Sequence, residues 1–314
     1  KLNKMEKRKI CLVSAISIAS VAALLSLLTV FSFFSSSDAT NAEWMKNIDD
    51  DASLSSLAIP GSHDSGATKS IADVAGKCQD SSITQQLDFG VRYFDVRLGA
   101  YNDDLVVYHG FIAQDLSFKD INDAMVSFLD EHPSETILLS VKEEKAPVGS
   151  SRDFETLLKE EIASSASYYL FSDSLPDKLG DCRKKIVLMS RYENNSIGID
   201  CYSGWLDPKE ASSDNSFVLS SSDIYVQDHY KLNDSETKWS AIEDTLAEAK
   251  KESHELTINF TSGYLVSSFP PSYAPSIAKT INQKLLSSIT SGDKGVFVMD
   301  FVTKDLVSTI VGAN

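Results

Sequence analysis

The chain has 314 residues, with 29 lysines and arginines against 45 aspartates and glutamates, so its formal net charge is −16. This balance excludes a protein that binds nucleic acid through a general basic surface, because affinity for phosphate requires clustered lysine and arginine. Hydrophobic residues make up 42% of the chain, which is typical of a globular protein rather than a disordered one.

Residues 1–42 have the pattern of a targeting segment. A basic stretch from Lys1 to Lys9 precedes an uncharged, mostly apolar run from Ile10 to Phe34, and small residues follow at Ala39 and Ala42. The run is long enough to span a bilayer, and the whole pattern also describes a secretory signal. We therefore expect a cleaved signal peptide or a retained anchor, and a protein that is secreted or held on the extracytoplasmic face of the membrane.

Residues 43–314 contain no linker that would separate two domains, so we expect one domain there. Short β-rich runs alternate with helix-like stretches, which favours parallel strand pairing and an α/β fold. The number of strands suits a (β/α) barrel, closed rather than open. In the stretch Phe118 to Glu131 the apolar residues fall on one helical face. The predicted strands are Tyr93–Leu98, Leu105–Tyr108, Thr136–Val141, Lys185–Ser190, Ser222–Val226, Leu256–Phe260 and Gly295–Phe301.

Three cysteines, Cys78, Cys182 and Cys201, lie in the body of the chain. They do not make a disulfide framework, and no C-x-x-C pair indicates a zinc site. One bridge from Cys182 to Cys201 and three unpaired buried thiols are both compatible with the sequence.

Two of the five histidines lie where a barrel would carry its chemistry. His63 lies in Ile59-Pro-Gly-Ser-His-Asp-Ser-Gly66, which we interpret as a tight loop that presents a side chain. His109 follows a predicted strand and precedes a glycine. Two histidines at strand ends can act as general base and general acid at neutral pH, although for either histidine taken alone a structural role is the first interpretation. We interpret His132, before Pro133, as a helix C-cap, and His254 as solvated surface.

Charged residues on two predicted strands point to the same region. Arg97 shares a strand face with Asp95, so the guanidinium could bind a phosphate or could form only a structural ion pair. Asp300 closes an apolar strand, where a carboxylate is costly unless it has a partner such as a histidine. Signatures of nucleotide-binding loops, zinc metalloproteases and serine esterases are missing: Ala67 stands where a P-loop needs lysine, and neither H-E-x-x-H nor a lipase-type G-x-S-x-G occurs.

Several motifs together resemble the bacterial phosphatidylinositol-specific phospholipases C, the X-domain family. They occur in the family's order and spacing from about Trp44 to the end of the sequence. The motifs are Ile59 to Gly66, Phe94-Asp-Val-Arg97, Tyr108-His-Gly110, Pro133 to Lys142 and Gly295 to Phe301. The resemblance implies a distorted TIM-type (β/α) barrel in a single domain.

The resemblance also implies a reaction in which the lipid is cleaved to inositol 1,2-cyclic phosphate and diacylglycerol. His63 would be the general base, oriented by Asp300, and His109 the general acid, oriented by Asp64. Arg97, positioned by Asp95, would stabilise charge on the phosphate. Because related phospholipases hold calcium where Arg97 stands, the resemblance implies activity without a metal or other cofactor.

Residues for substrate binding are implied in the same way. Lys142 and Arg191 match family positions that contact the inositol ring, while Asp228 and Tyr230 match a hydroxyl acceptor and a stacking tyrosine. His229, between the last two, would then point away. Solvated loop charge is the alternative for these four positions.

The implied partner is a membrane surface that contains phosphatidylinositol or glycosylphosphatidylinositol, and the protein would act as a monomer without nucleic acid. Some secreted relatives insert tryptophans into the lipid from a short helix and a late loop. Here the first segment offers only Ile71, Val74 and Ala75, whereas the late loop offers Phe269 among its apolar residues, with Tyr264 and Val266 more consistent with core packing.

Two rival hypotheses remain. A catalytically silent barrel that binds inositol lipids or another surface partner would have lost one of the catalytic residues. A glycerophosphodiesterase would carry an early H-R-G and acidic metal ligands, a pattern that this chain does not have.

Overall fold

The computed structural model describes residues 41–70, 76–208, 210–211, 215–269 and 273–314. Strands and helices alternate along these residues. The strands are β1 (Ala58–Ser62), β2 (Tyr93–Tyr101), β3 (Asp104–His109), β4 (Ile112–Ser117), β5 (Thr136–Val148), β6 (Tyr169–Leu170), β7 (Lys185–Arg191), β8 (Ile199–Asp200), β9 (Ser216–Val218), β10 (Ile224–Gln227), β11 (Lys231–Leu232), β12 (Leu256–Phe260), β13 (Tyr264–Leu265) and β14 (Gly295–Met299). The α-helices are α1 (Ile83–Phe89), α2 (Phe118–Glu131), α3 (Phe154–Ile162), α4 (Ser235–Ala249), α5 (Pro275–Ser288) and α6 (Lys304–Val311). Short 3₁₀ helices cover Asn41–Asn47, Leu54–Ser56, Ala163–Tyr168 and Leu179–Asp181.

One curled sheet forms the frame of the molecule. Eight strands run parallel in the order β6-β7-β5-β2-β1-β14-β12-β10, and β9 pairs antiparallel with β10. The antiparallel strands β3 and β4 fold back from the long β2. In the described part of the chain no ladder joins β10 to β6 or β7. The predicted distorted (β/α) barrel is therefore confirmed, although its strands curl round without closing the ring.

The core has two layers because both faces of the sheet are buried. Along β5, Leu138 packs with Ile59 and Val296 inside the barrel. Its neighbours Ile137 and Leu139 pack instead beneath the surrounding helices. A parallel sheet that is buried on both faces explains why these strands are continuous apolar runs without polar alternation.

The predicted helix over Phe118 to Glu131 is confirmed with the same bounds as α2. Its apolar face is buried, as the 3.6-residue period requires. Ser117 caps the N-terminus in a capping box with Asp120, and His132 is the C-cap, as predicted.

The interpretation of Ile59 to Gly66 as a loop is wrong in its first half. Ala58–Ser62 is β1, a central strand between β2 and β14. Pro60 misled the prediction because proline cannot donate to a ladder and is rare in central strands. Here its carbonyl still accepts the backbone N–H of Arg92 at 2.8 Å.

All three body cysteines are buried and free, so the alternative of a Cys182–Cys201 bridge is not realised. His254 is not simply solvated, because its Nδ1 lies 2.7 Å from Oδ1 of Asp223. The apolar run Ile10 to Phe34 lies outside the described residues, as do Ile71, Val74 and Ala75. Among the described helices, none has the length and apolar character needed to cross a bilayer.

Candidate active site

A cavity of about 270 Å³ opens where the parallel strands end. The carboxyl ends of barrel strands all lie at one edge, so residues far apart in sequence converge there. Polar side chains in the wall come from β1, β2, β5, β7, β10 and β14 or from the residues directly after them. The lining residues are His63, Cys78, Arg97, His109, Gly110, Lys142, Glu144, Arg191, Asp207, Asp228, Tyr230, Gly263, Tyr264, Ala274 and Asp300.

His63 and Asp300 meet because β1 and β14 are neighbouring strands. Nδ1 of His63 lies 2.8 Å from Oδ1 of Asp300. The buried amide of Gln79 fixes both loops: its Nε2 donates to the backbone carbonyls of His63 and Met299, each at 2.8 Å. The histidine therefore has a fixed backbone, a fixed ring orientation and a carboxylate partner.

The protonation of His63 follows from its two neighbours. Nη2 of Arg97 lies 2.7 Å from Nε2 of His63, and a guanidinium can only donate. Nε2 must therefore be the acceptor, and the ring proton is on Nδ1, facing Asp300. Burial is the largest influence and lowers the pKa of His63, but the charge and hydrogen bond of Asp300 together with the charge of Asp95 outweigh it, so the net shift of the pKa is upward. The ring is thus a base with its lone pair at the cavity.

Arg97 is held flat against Asp95. Its Nε and Nη2 both donate to Oδ2 of Asp95, at 3.1 and 3.0 Å. The same oxygen accepts the backbone N–H of Asp64 at 3.2 Å. Burial raises the pKa of Asp95, but the charges of Arg97 and then Arg191 outweigh it and keep the pKa well below its usual range. Asp95 is therefore a fixed anion that orients the guanidinium toward the cavity.

His109 and Asp64 face each other more loosely. Nε2 of His109 lies 3.7 Å from Oδ2 of Asp64, beyond hydrogen-bond distance. Asp64 is fully buried in a left-handed backbone conformation with φ of 44°, and within the described residues neither of its carboxylate oxygens has a hydrogen-bond partner. Burial raises its pKa to about 7. Burial and the charge of Arg97 lower the pKa of His109 to about 4.

The residues expected to bind substrate also line the cavity. Lys142, on β5, pairs with Oε2 of Glu144 at 2.7 Å. Arg191 ends β7 and stacks on Trp205, with Cζ 3.5 Å from the ring centroid. Asp228 accepts from Nε1 of Trp205 at 3.1 Å and lies 3.5 Å from Nη2 of Arg191.

Tyr230 stands on the wall beside Tyr264, with ring centroids 6.1 Å apart, and burial raises the pKa of its phenol to about 12. His229 does not line the cavity, and its Nε2 lies 3.1 Å from the carbonyl oxygen of Ala211. The expectation that it points away is therefore met. Tyr264 lines the cavity instead of packing in the core.

Sequence reasoning missed three polar residues of the cavity wall, Cys78, Glu144 and Asp207, and it also missed Trp205, on which Arg191 stacks. For Glu144 a signal existed, because it lies two residues after Lys142 and therefore on the same face of β5. The register of β5 on β2, with Lys142 opposite Arg97, brings it to the site. The other three belong to irregular segments whose path no local pattern specifies.

Two sets of side chains in the described structure have metal-ligand chemistry, and Cys78 belongs to both. One is His63, Cys78 and Asp300; the other is Asp64, Cys78 and His109. In each set the three ligand atoms lie within 4.8 Å of one another.

Two exposed aromatic residues lie close in sequence to residues that line the cavity. Phe111 follows Gly110 at the turn between β3 and β4 and is 82% exposed. Phe269, in the segment after β13, is 94% exposed.

Comparison with known proteins agrees with this geometry. Residues 51–192 match the family model described as phosphatidylinositol-specific phospholipase C, X domain. The chain is 30% identical to a 1-phosphatidylinositol phosphodiesterase of Staphylococcus aureus (strain Newman), over 86% of this chain and 93% of that protein. It is 27% identical to the protein of the same name from Listeria monocytogenes, over 88% of this chain and 86% of that protein. A solved structure of the S. aureus phosphatidylinositol-specific phospholipase C superposes with a TM-score of 0.76 at 26% identity, covering 88% of this chain and 98% of that one. The chain therefore belongs to the phosphatidylinositol-specific phospholipase C family.

Proposed function

We propose that the protein is a phosphatidylinositol diacylglycerol-lyase, which cleaves phosphatidylinositol to inositol 1,2-cyclic phosphate and diacylglycerol. The observation that carries this proposal is the arrangement of His63, Arg97 and His109 around one cavity, with the unprotonated Nε2 of His63 beside the guanidinium. An intramolecular attack on a phosphodiester requires a base, a cation beside the phosphate and an acid, and these three side chains can supply them. A silent binding barrel would have no need for a buried carboxylate behind its histidine.

In the proposed reaction, Nε2 of His63 removes the proton from the inositol 2-hydroxyl, and this oxygen attacks the neighbouring phosphorus. The bond from phosphorus to the glycerol oxygen breaks, and His109 gives that oxygen a proton. Attack within one molecule has the advantage of proximity. Asp300 stabilises the imidazolium that forms on His63, and Arg97 stabilises the charge on the non-bridging phosphate oxygens.

A general acid must carry a proton, yet the ligand-free surroundings lower the pKa of His109. Two features resolve this. The phosphodiester brings a negative charge next to the ring, which favours imidazolium. Asp64 has a pKa of about 7 and can hold a proton within 3.7 Å of Nε2 of His109. We propose that Asp64 and His109 act as one acid that shares a proton.

We propose that the reaction needs no metal ion. Three carboxylates surround Arg97, which lies 3.0 Å from Asp95, 3.7 Å from Asp64 and 3.9 Å from Glu144. A fixed guanidinium among these oxygens supplies the positive charge that a phosphate requires. The guanidinium occupies the centre of this group of oxygens, where calcium would need six to eight oxygen ligands of its own.

The headgroup would be held by Lys142, Arg191, Asp228 and Tyr230. The pairs of Lys142 with Glu144 and of Arg191 with Asp228 offer a donor and an acceptor side by side, as vicinal hydroxyl groups require. Phosphatidylinositol and glycosylphosphatidylinositol present the same ring, so both remain open as substrates.

The partner would be a membrane surface outside the cell that contains the lipid. The protein would reach it as a monomer that is secreted or anchored. Residues 1–42 would serve as leader or anchor, and residues 43–314 would form the catalytic domain. A net charge of −16 does not favour approach to an anionic bilayer. Contact would therefore rest on exposed aromatic side chains such as Phe111 and Phe269.

The test is the cleavage of phosphatidylinositol in excess chelator by wild type, His63→Asn and His109→Asn. We expect full wild-type activity and a loss of about 10²–10⁴-fold in each variant. His254→Asn, which alters a surface histidine paired with Asp223, is the matched control and should retain activity. An inactive wild type would refute the enzyme hypothesis, while activity lost only on chelation would refute metal independence alone.

A further inference from the structure

We propose that Asp64, Cys78 and His109 form a binding site for a thiophilic divalent cation such as Zn²⁺, and that occupation of this site inhibits the enzyme. The proposal assigns a role to Cys78, a cavity thiol that the reaction does not use. Inhibition rests on the proposed function, but binding of the metal does not, and the two are measured separately below.

The three side chains offer one sulfur, one nitrogen and one oxygen, all within 4.8 Å of one another. Zinc binds these atoms at about 2.0–2.3 Å in a tetrahedron, so two of its nitrogen or oxygen ligands lie about 3.4 Å apart. Nε2 of His109 and Oδ2 of Asp64 are 3.7 Å apart. These two atoms need to approach each other by only a few tenths of an ångström, the sulfur of Cys78 lies within 4.8 Å of the ligand atoms of both residues, and the fourth corner would be open to the cavity.

Asp64 gives an independent indication of a ligand. Its carboxylate is completely buried, and within the described residues neither oxygen accepts a hydrogen bond. Burial of a carboxylate without hydrogen-bond partners costs free energy, and a bound metal ion would reduce this cost by supplying a positive charge beside the carboxylate oxygens. The nearest cationic atom of a side chain, Nε of Arg97, lies 3.7 Å from Oδ2.

The alternative set of His63, Cys78 and Asp300 fits a metal less well. Nδ1 of His63 and Oδ1 of Asp300 are only 2.8 Å apart and already share a proton, which is too close for two corners of a tetrahedron. The other nitrogen, Nε2, is occupied by Nη2 of Arg97 at 2.7 Å. We therefore assign the metal to the His109 side of the cavity.

Binding exchanges protons for the metal. The Cys78 thiol loses its proton to solvent, and so does the Asp64–His109 pair when it holds one; the thiolate sulfur and the Asp64 carboxylate then bond to the cation, and neutral His109 donates its Nε2 lone pair. His109 can then no longer carry the proton for the leaving oxygen. Soft sulfur selects Zn²⁺, Cd²⁺ or Co²⁺ over Ca²⁺ and Mg²⁺, which prefer six or more oxygen ligands.

Metal binding is tested with Co²⁺, because a thiolate bound to this ion gives a charge-transfer band in the near ultraviolet. We expect the band in wild type, in His63→Ala and in Cys182→Ser, a matched control in which another buried thiol is removed. We expect no band in Cys78→Ser and binding at least about tenfold weaker in His109→Ala and Asp64→Ala. A band that persists in Cys78→Ser, or that is lost in His63→Ala but retained in His109→Ala, would overturn the assignment.

Inhibition is tested with a water-soluble short-chain phosphatidylinositol, since Zn²⁺ also binds anionic vesicles. Wild type and Cys182→Ser should lose activity with Zn²⁺ and regain it with chelator, whereas Ca²⁺ should have no effect. In Cys78→Ser the concentration for half inhibition should rise at least about tenfold. Equal inhibition of Cys78→Ser, or equal inhibition by Ca²⁺, would refute the proposal. If the serine variant unfolds, His109→Ala in the Co²⁺ experiment decides the matter.

Discussion

Nη2 of Arg97 lies 2.7 Å from Nε2 of His63, so the proposed phosphate ligand and the proposed base contact each other directly. Without substrate, the guanidinium occupies the lone pair that must accept the hydroxyl proton. A bound phosphate is a stronger partner for the guanidinium than a neutral ring nitrogen is. Binding of the phosphate would therefore release Nε2 for the inositol hydroxyl at the moment when the base is needed.

Arg97→Lys should lower kcat by about 10²–10³-fold with a much smaller change in KM. An ammonium group is a point charge and cannot contact Asp95 through two donors while it also reaches the phosphate. Steady-state kinetics on phosphatidylinositol measure the effect. Arg152→Lys is the matched control, because Arg152 pairs with Asp103 and Glu160 outside the cavity. A kcat within threefold of wild type would contradict the role proposed for Arg97.

Asp300→Asn should lower the maximal rate by about 10²–10⁴-fold and move the acidic limb of the pH profile of kcat/KM to lower pH. Asp300 raises the pKa of His63. Removal of its charge lowers that pKa, so the base stays unprotonated at lower pH than in wild type. Asp223→Asn alters another aspartate paired with a histidine, His254, and should leave the profile in place. A shift of the limb to higher pH would show that Asp300 does not act in this way.

Asp64→Asn should inactivate the enzyme yet stabilise it in a pH-dependent way. The pKa of Asp64 is about 7 in the fold, above its unfolded value of about 4, so the stability that the neutral carboxyl gives at low pH is lost as pH rises through 7. Asparagine does not titrate. Urea unfolding should therefore find the variant more stable by about 1–3 kcal/mol at pH 8, with a smaller difference at pH 5.

The control for this prediction is Asp293→Asn. Asp293 is also buried, but it accepts bonds from Thr290 and pairs with Lys250, and the net shift of its pKa is downward. This variant should be less stable than wild type at pH 8. If Asp64→Asn behaves like Asp293→Asn, the buried carboxylate of Asp64 has a partner in solution.

The double variant Phe111→Ser, Phe269→Ser should bind phosphatidylinositol vesicles at least about tenfold more weakly than wild type. In wild type, each exposed ring would leave water when it enters the lipid, and this transfer would contribute about 1.5–3 kcal/mol to the free energy of binding. Serine at both positions removes this contribution. Vesicle sedimentation measures the change. Leu286→Ser, which alters an exposed apolar residue on α5, should bind like wild type. Unchanged binding of the double variant would show that other residues hold the protein on the membrane.

The strands of the barrel could be predicted because both of their faces are buried, so each one stands out as an apolar run between polar segments. Two of the eight parallel strands were missed. β6 is only two residues long, Tyr169–Leu170, and β1 contains Pro60 and Gly61, which resemble a turn until the pairing with β2 and β14 is known. The open side of the ring could not be predicted, because whether two edge strands pair depends on curvature rather than on composition.

For the site, sequence favoured residues that end a strand, such as Arg191, or lie in a glycine-flanked loop, such as His63. The missed residues act through tertiary geometry. Gln79 matters because its amide reaches two carbonyls on different loops, and Trp205 because Arg191 stacks on it. Neither relationship leaves a periodic or spaced pattern in the chain.

Because β1 pairs with β14, the first strand of the barrel can complete its part of the site only after the last strand has formed. His63 lies in the first strand-to-helix connection and Asp300 directly after the last strand, so the base has no carboxylate partner until nearly the whole barrel has been made and docked. A partly synthesised chain therefore lacks the pair of His63 and Asp300 altogether. Activity begins only where folding is completed.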